Sequence, residues 1–369
     1  HMFRGLILSF FCFIAAFPLF LWGAQDVPAL TWEDCLAEAA KYHPDLIIAK
    51  ESVIQAEETV GVTRGNEWPS LDVSAGASRV RNAGASSNAS SLDLVGTVTV
   101  FDGGAKRSAT EQARAQLTAT RQGYHVTSAR LRFDLRAAYI GLWQAQEAVN
   151  IAQSILKIRE DSYKLVKLHY ESGTEHRGSL KLSEAKLAQA KVGLKSAQRD
   201  VVSAQVALSK AIGYPMKKPL QVVEIQLPHI PAEGPDMEAI AKAHPQYRQA
   251  LAGEGVAAAG VRTSKAAYWP RVDVSASVGR QSNDFPPNDN QAAVGASVTY
   301  PLFNGGAREA SVQRARSAVR SAQANTLSVY NSLYSTLQQA WSDLADAIDN
   351  AEVQAEFLEA NSEREKIAQ

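Results

Sequence analysis

Chemistry in this sequence of 369 residues would have to come from seven scattered histidines, two cysteines and the acidic side chains. A metal or acid–base site needs such groups to converge, for example two histidines four apart on one helix face. No such constellation is present. Two histidines precede prolines, His43-Pro44 and His244-Pro245, and each pair stands where a helical pattern restarts. Proline is tolerated at the first position of a helix, so a structural role outweighs a metal site. The turns Phe101-Asp102-Gly103-Gly104 and Phe303-Asn304-Gly305-Gly306 lack the lysine and spacing of a phosphate loop. What they offer is tight strand-to-helix turning. Cys12 falls in an N-terminal apolar stretch, and Cys35 alone can form no intramolecular disulfide. The expectation is a protein with no catalytic residues, no metal and no cofactor.

The elements around these residues are organised by one stretch, Ala105 to about Ser172, which has no proline and two glycines, Gly123 and Gly141. Its apolar and small residues alternate at steps of four and three: Leu131, Leu135, Ala138, Leu142, Ala145, Val149, Ala152, Leu156, then Tyr163, Val166 and Tyr170. That period predicts a coiled-coil helix, a rod of roughly 100 Å at 1.5 Å per residue. A second helix is predicted over Ser179 to Ala211, with the same spacing at Leu180, Leu187, Leu194, Val201 and Leu208. The two form an antiparallel hairpin whose tip is Gly173, Thr174, Glu175, His176, Arg177, Gly178 and Ser179. Glycine suits a left-handed helix end, and Ser179 can cap the next helix.

Upstream, Thr31-Trp32-Glu33-Asp34 reads as a helix start with an acidic third position. After Trp68-Pro69 the period changes to two, giving strands of about ten residues on either side of a Gly/Ala/Asn/Ser loop. Downstream the pattern repeats. His244-Pro245 and Trp269-Pro270 each stand 201 residues after their counterparts, and the second glycine turn stands 202 after the first. This is an internal duplication, with Gln369 aligned to Lys167. The expected divisions are a signal peptide over 1–29, a first repeat over 30–214, a linker over 215–235 and an incomplete second repeat over 236–369. Arg4 followed by the apolar run Gly5 to Gly23 carries the signal reading; an uncleaved anchor is the alternative.

Four strands with one apolar face cannot close a barrel alone, and an open edge cannot face lipid. Several copies could close one. Leu71, Val73, Val98, Val100, Val272, Val274, Val298 and Tyr300 are then the lipid-facing set. Net charge is zero, with a basic excess over Lys157–Lys218 and an acidic one over Ala340–Gln369. Two solvated faces or two helices packed together would each explain it. Export and the absence of interleaved aromatics argue against nucleic acid.

The sequence resembles the TolC-like outer-membrane efflux proteins over nearly all of residues 31–369. The resemblance rests on the paired segments Ala40 to Pro44 and Ala241 to Pro245, the Trp-Pro strand entries, the two glycine turns and the Gly173–Gly213 hairpin. It implies a mainly α fold with a β-barrel contribution: long antiparallel coiled-coil helices plus two β-hairpins per chain. It implies a homotrimer in the outer membrane of a Gram-negative bacterium, with a twelve-stranded barrel in lipid and a periplasmic helical tunnel. The tunnel's tip would dock a periplasmic adaptor, and through it an inner-membrane pump for efflux or type I secretion. Two features depart from the family pattern. Ser179 stands where an acidic residue is common, and the second hairpin, which usually helps form the gate, is cut short. The competing expectation is a periplasmic coiled-coil adaptor or scaffold without a pore.

Overall fold

The computed structural model describes residues 29–82, 85–213, 220–224 and 234–368. The expected signal peptide, except for its last residue, and most of the expected linker lie outside the described residues. In chain order the helices and strands are α1 Trp32–Tyr42, α2 Pro44–Gly65, β1 Ser70–Asn82, β2 Ala85–Phe101, α3 Ala105–Glu171, α4 Arg177–Ile212, α5 Met237–Ala243, α6 Pro245–Ala266, β3 Arg271–Ser282, β4 Asp289–Thr299 and α7 Ala307–Ala368. The chain divides into two compact units, and α3 contributes to both. Of the described residues, one takes those up to Cys35, those of Ala138–Ser209 and those within Pro215–Ile225; the other takes those within Leu36–Ala137, Lys210–Tyr214 and Gln226–Gln369.

The first unit is a helical hairpin. Every seam position named above on α4 is buried or half-buried, as are Ala138 through Val166 on α3. Tyr139, Leu142 and Leu208 are fully buried. A short segment, residues 220–224, is held mainly by side chains. The Gln146 amide brackets Val222, accepting from its N–H and donating to its carbonyl, both at 3.0 Å. Gln205 donates to the Leu220 carbonyl at 2.7 Å, and the Tyr139 hydroxyl lies 2.8 Å from the Val223 carbonyl. The start of α1 is a capping box: Thr31 Oγ1 accepts from Asp34 N–H, and the Asp34 carboxylate accepts from Thr31 N–H. The Thr31 hydroxyl, which donates to the same carboxylate at 2.7 Å, and then the Thr31 N–H hold the Asp34 carboxyl below its usual range.

The second unit pairs a sheet with a layer of helices. The sheet is antiparallel throughout in the order β1-β2-β3-β4, so β2 and β3 join the two repeats. The helices follow the same order. Arg121 of α3 meets Glu57 of α2 at 2.7 Å, Arg262 of α6 meets Glu111 of α3 at 3.0 Å, and Tyr268, just past α6, reaches Glu309 of α7 at 3.3 Å. Exposed pairs of this kind contribute ~0–1 kcal/mol each, so they mark adjacency more than they cause it. Packing is by small side chains, with Ala119, Ala259 and Ala266 buried. Both His-Pro pairs act as the sequence implied. Proline pushes the residue before it into extended geometry, and His43 and His244 sit there as N-caps, each Nδ1 accepting the amide two residues on at 3.2 Å.

The strands are longer than the expected ten residues: 13, 17, 12 and 11. The stretch read as a loop is strand, with Ser78 opposite Ala89 and Arg81 opposite Ser86. Its small polar side chains show no alternation, yet the inner register carries the ladder outward through backbone bonds. At the other end β4 stops at Thr299. Tyr300 therefore lies outside the strand, where Pro301 follows and has no N–H to give a ladder.

Candidate functional site

Cross-strand partners share a face. The register pairs Leu71 with Gly96, Val73 with Leu94, Val98 with Val274 and Val272 with Val298. Leu71, Val73, Val98, Val272, Val274 and Val298 therefore lie on one face, joined by Leu92, Leu94, Val278 and Val294, which were outside the lipid-facing set named from the sequence. The other face carries hydrogen bonds among polar side chains: Ser70 with Thr97, Thr99 with Asp273, Gln291 with Asp93. Arg271 also binds the Asp273 carboxylate, at 2.7 Å. On the apolar face Leu71, Val73, Val294 and Val298 are 69–83% exposed. Val100 departs from the expected set. It is the extra residue of a bulge, since Thr99 pairs with Asp273 and Phe101 with Val272.

The two glycine turns have the same backbone. Gly103 and Gly104 have φ of 67° and 83°, and Gly305 and Gly306 have 64° and 82°. Such angles are costly for any residue with a Cβ. Asp102 caps α3, its carboxylate accepting from Gly104, Ala105 and Lys106 N–H at 2.9–3.0 Å. Phe101 meets Trp269 edge to face at 6.3 Å.

The hairpin tip is a self-satisfied knot. Gly173 has φ 79°; its N–H bonds the Tyr170 carbonyl and Thr174 N–H bonds the His169 carbonyl, a Schellman ending. Helix α4 begins at Arg177, two residues before the expected start, and its cap is His176 in place of Ser179. His176 Nδ1 accepts from Gly178 N–H at 3.0 Å and Ser179 N–H at 3.2 Å. Backbone N–H can only donate, so Nδ1 is unprotonated there. Histidine ranks low among capping residues, which is why sequence reading passed over it. Glu175 is also engaged: bonds from Ser179 and from His176 N–H hold its carboxyl below the usual range. Arg177 is absent from this network.

Helix α3 carries a second apolar stripe that the first-period count did not show. Ile151, Ile155, Ile158 and Leu165 follow steps of four, three and seven and are 46–61% exposed; Ile151, Ile158 and Leu165 stand two positions on from Val149, Leu156 and Tyr163, and Ile155 stands three on from Ala152. Two positions turn roughly 200° around a helix and three roughly 300°, so the stripe lies on a different face from the seam, with Ile155 nearest to it.

Little else offers chemistry. An open groove of about 610 Å³, lined by residues including Asp45, Ser52, Thr120 and Tyr124, holds no nucleophile beside a base. Among the described residues no cluster of His, Cys, Asp or Glu could hold a metal ion. Cys35 is buried, and burial with Asp34 beside it pushes its thiol up to about 11. No described helix is long and apolar enough to cross a membrane.

Fold and sites together define a strand-and-rod protein whose sheet has a bare apolar face and whose α3 rod carries a second, exposed apolar stripe. The chain belongs to the outer membrane efflux protein family, whose model matches residues 35–214 and 238–369. Membership places it at the outer membrane of a Gram-negative bacterium. Protein CyaE of Bordetella pertussis is 25% identical over 315 residues, covering 81% of this chain and 66% of that protein. The probable efflux pump outer membrane protein TtgC of Pseudomonas putida is 26% identical over 296 residues, covering 75% and 57%. The chain thus spans less than two thirds of the length of these relatives. A crystal structure of CusC, studied for folding and transmembrane channel formation, shares the fold: TM-score 0.74 at 19% identity, over 87% of this chain and 78% of that one.

Proposed function

We propose that the chain is the outer-membrane component of a tripartite efflux or type I secretion machinery, a passive exit duct and not an enzyme. The observation that carries this reading is the sheet: one face apolar and bare, one face polar and bonded, two edges without partners among the described residues. A lipid surface suits the first property and excludes the last. Unsatisfied backbone groups cost several kcal/mol each in hydrocarbon, so such a sheet enters a membrane only within a closed barrel. Three copies give twelve strands, with Leu71, Val73, Val98, Val272, Val274 and Val298 toward lipid. Strands of 11 to 17 residues reach or exceed the roughly 9–11 of a tilted crossing. The spare stripe of α3 takes a neighbouring helix, as a tunnel wall requires. The efflux role named for TtgC supports the same reading.

The tip, Gly173 to Ser179, is the docking element for a periplasmic adaptor, which connects to an inner-membrane pump. Glu175 and His176 build the turn, so Arg177 is its residue for recognition. Fractionation of cells expressing the full chain tests the duct. The expected result is recovery with outer membranes after a high-salt wash. Recovery in the soluble periplasm would replace the duct with a scaffold that has no pore. Arg177→Glu should lower export at unchanged membrane level; undiminished export would remove the docking role.

A further inference from the structure

The apolar face of the sheet stops short of the strand ends. It covers alternate positions of 71–77 on β1, 92–98 on β2, 272–278 on β3 and 292–298 on β4. Beyond these, on the side away from the helices, the same face carries Arg79 and Arg81 on β1, Asn88 on β2, Arg280 on β3 and Asn290 on β4. The four strands hold four arginines and four aspartates. Asp72, Asp93, Asp273 and Asp289 all lie on the polar face, whereas three of the arginines lie on the apolar one. The fourth, Arg271, is on the polar face and paired with Asp273. Arg79 and Arg81 are exposed and meet no carboxylate among the described residues. Arg280 is exposed and stands opposite Leu92; its Nε donates to Asn290 Oδ1 at 3.1 Å, a neutral partner.

We propose that Arg79, Arg81 and Arg280 bind the phosphate groups of an anionic glycolipid in the outer leaflet, whose acyl chains lie along the apolar positions of the same strands. Arginine on a lipid-facing strand is costly at mid-membrane and tolerated near the surface, so these three mark the depth at which hydrocarbon gives way to headgroups. All four strands meet their helices at the opposite end. With those helices in the periplasm, the arginine end faces outward. A guanidinium matches a phosphate with two parallel hydrogen bonds and keeps its charge at any physiological pH. A face without acidic strand residues gives an anionic headgroup nothing to repel it. Continuity with the apolar positions selects a lipid over a free anion, because one molecule then covers both parts of the face. This inference rests on the barrel reading and names the lipid that its outer rim takes.

The test uses the full chain, extracted from outer membranes in detergent and stripped of lipid. The probe is lipid A, an acylated glucosamine disaccharide with two phosphates, compared with the same lipid after its phosphates are removed. Bound lipid per chain is read by native mass spectrometry. The phosphorylated form should bind several-fold more tightly, and added salt should shrink that preference. Combining Arg79→Gln, Arg81→Gln and Arg280→Gln should abolish the preference, while Arg79→Lys, Arg81→Lys and Arg280→Lys together should keep part of it. If the glutamine combination fails to assemble, Arg280→Gln alone should still reduce the preference, and the comparison of the two lipids needs no variant. Equal binding of the two lipids, or an undiminished preference in the glutamine variants, would overturn the proposal and leave the duct standing. Displacement of lipid A by an equal concentration of inorganic phosphate would overturn the lipid as the occupant. Recovery of the chain in the soluble periplasm would remove the duct, and this rim with it.

Discussion

The α3–α4 turn and the four-stranded sheet solve their polar-group problems in different ways. At the turn, residues from His169 to Ser179 meet each other's needs: the carbonyls of His169 and Tyr170, the amides of Gly173, Thr174, His176, Gly178 and Ser179, the His176 ring and the Glu175 carboxylate are all paired locally. The sheet pairs its inner strands, while its two edges have no strand partner among the described residues and its apolar face is exposed. A change at the turn should therefore read out as local stability, and a change on the sheet as assembly. The contrast also explains why a single chain can display a finished tip and an unfinished sheet.

The largest effect that could break this contrast is a charge on the apolar face. Arginine at a mid-membrane, lipid-facing position costs roughly 2–4 kcal/mol. Val98→Arg should sharply reduce the membrane-assembled fraction, while Thr97→Arg, on the polar face, should be mild. Equal tolerance of the two, measured by fractionation, would remove the lipid face. Next is Gly103→Ala, which adds a collision with Trp269 to the strain that Gly104→Ala also carries. Overpacking of this kind costs about 1–3 kcal/mol, so thermal unfolding should separate the two variants.

At the tip the effects are smaller and confined. His176→Ala removes a helix cap, worth ~1 kcal/mol, and should speed hydrogen exchange in the first turn of α4 without lowering membrane level. His176→Asn should restore protection. A drop in assembly would show that the turn is not self-contained. The smallest effect is in pH. Burial holds the His244 pKa below the ordinary histidine value. The folded chain then binds that proton less readily than the unfolded chain, so the contribution is complete above about 6.5. It is lost as pH falls through the lowered value, when Nδ1 takes a proton and can no longer accept from Gln246 N–H. His244→Asn should flatten that part of the stability–pH curve.

How far the sequence revealed all this depended on how local the cause was. The coiled-coil seam was legible because a 3.5-residue period has one cause, and Leu131, Leu135, Leu142 and Leu208 are buried as it required. Thr31 and Gly173 were legible from backbone rules. The outer halves of β1 and β2 were not, because Ser, Gly and Asn carry no alternation and their pairing is imposed from the inner register. Val100 escaped because a bulge depends on both strands. His176 escaped because its ring imitates a cap usually made by an oxygen. The stripe at Ile151 carried a signal, a second copy of the same period, masked by the stronger first one.

One property of the sheet bears on size. All four strands join their helices at the same end: α2 enters β1, β2 leaves to α3, α6 enters β3 and β4 leaves to α7. The unit cannot lend two strands and keep two, so a barrel made from this chain grows only in steps of four. Eight strands give a bore that side chains fill, and about sixteen an aqueous channel. Bore width is therefore quantised by the number of chains, and the twelve-stranded case is the step between a plug and an open pore. Residues inside a strand can line that bore but cannot resize it.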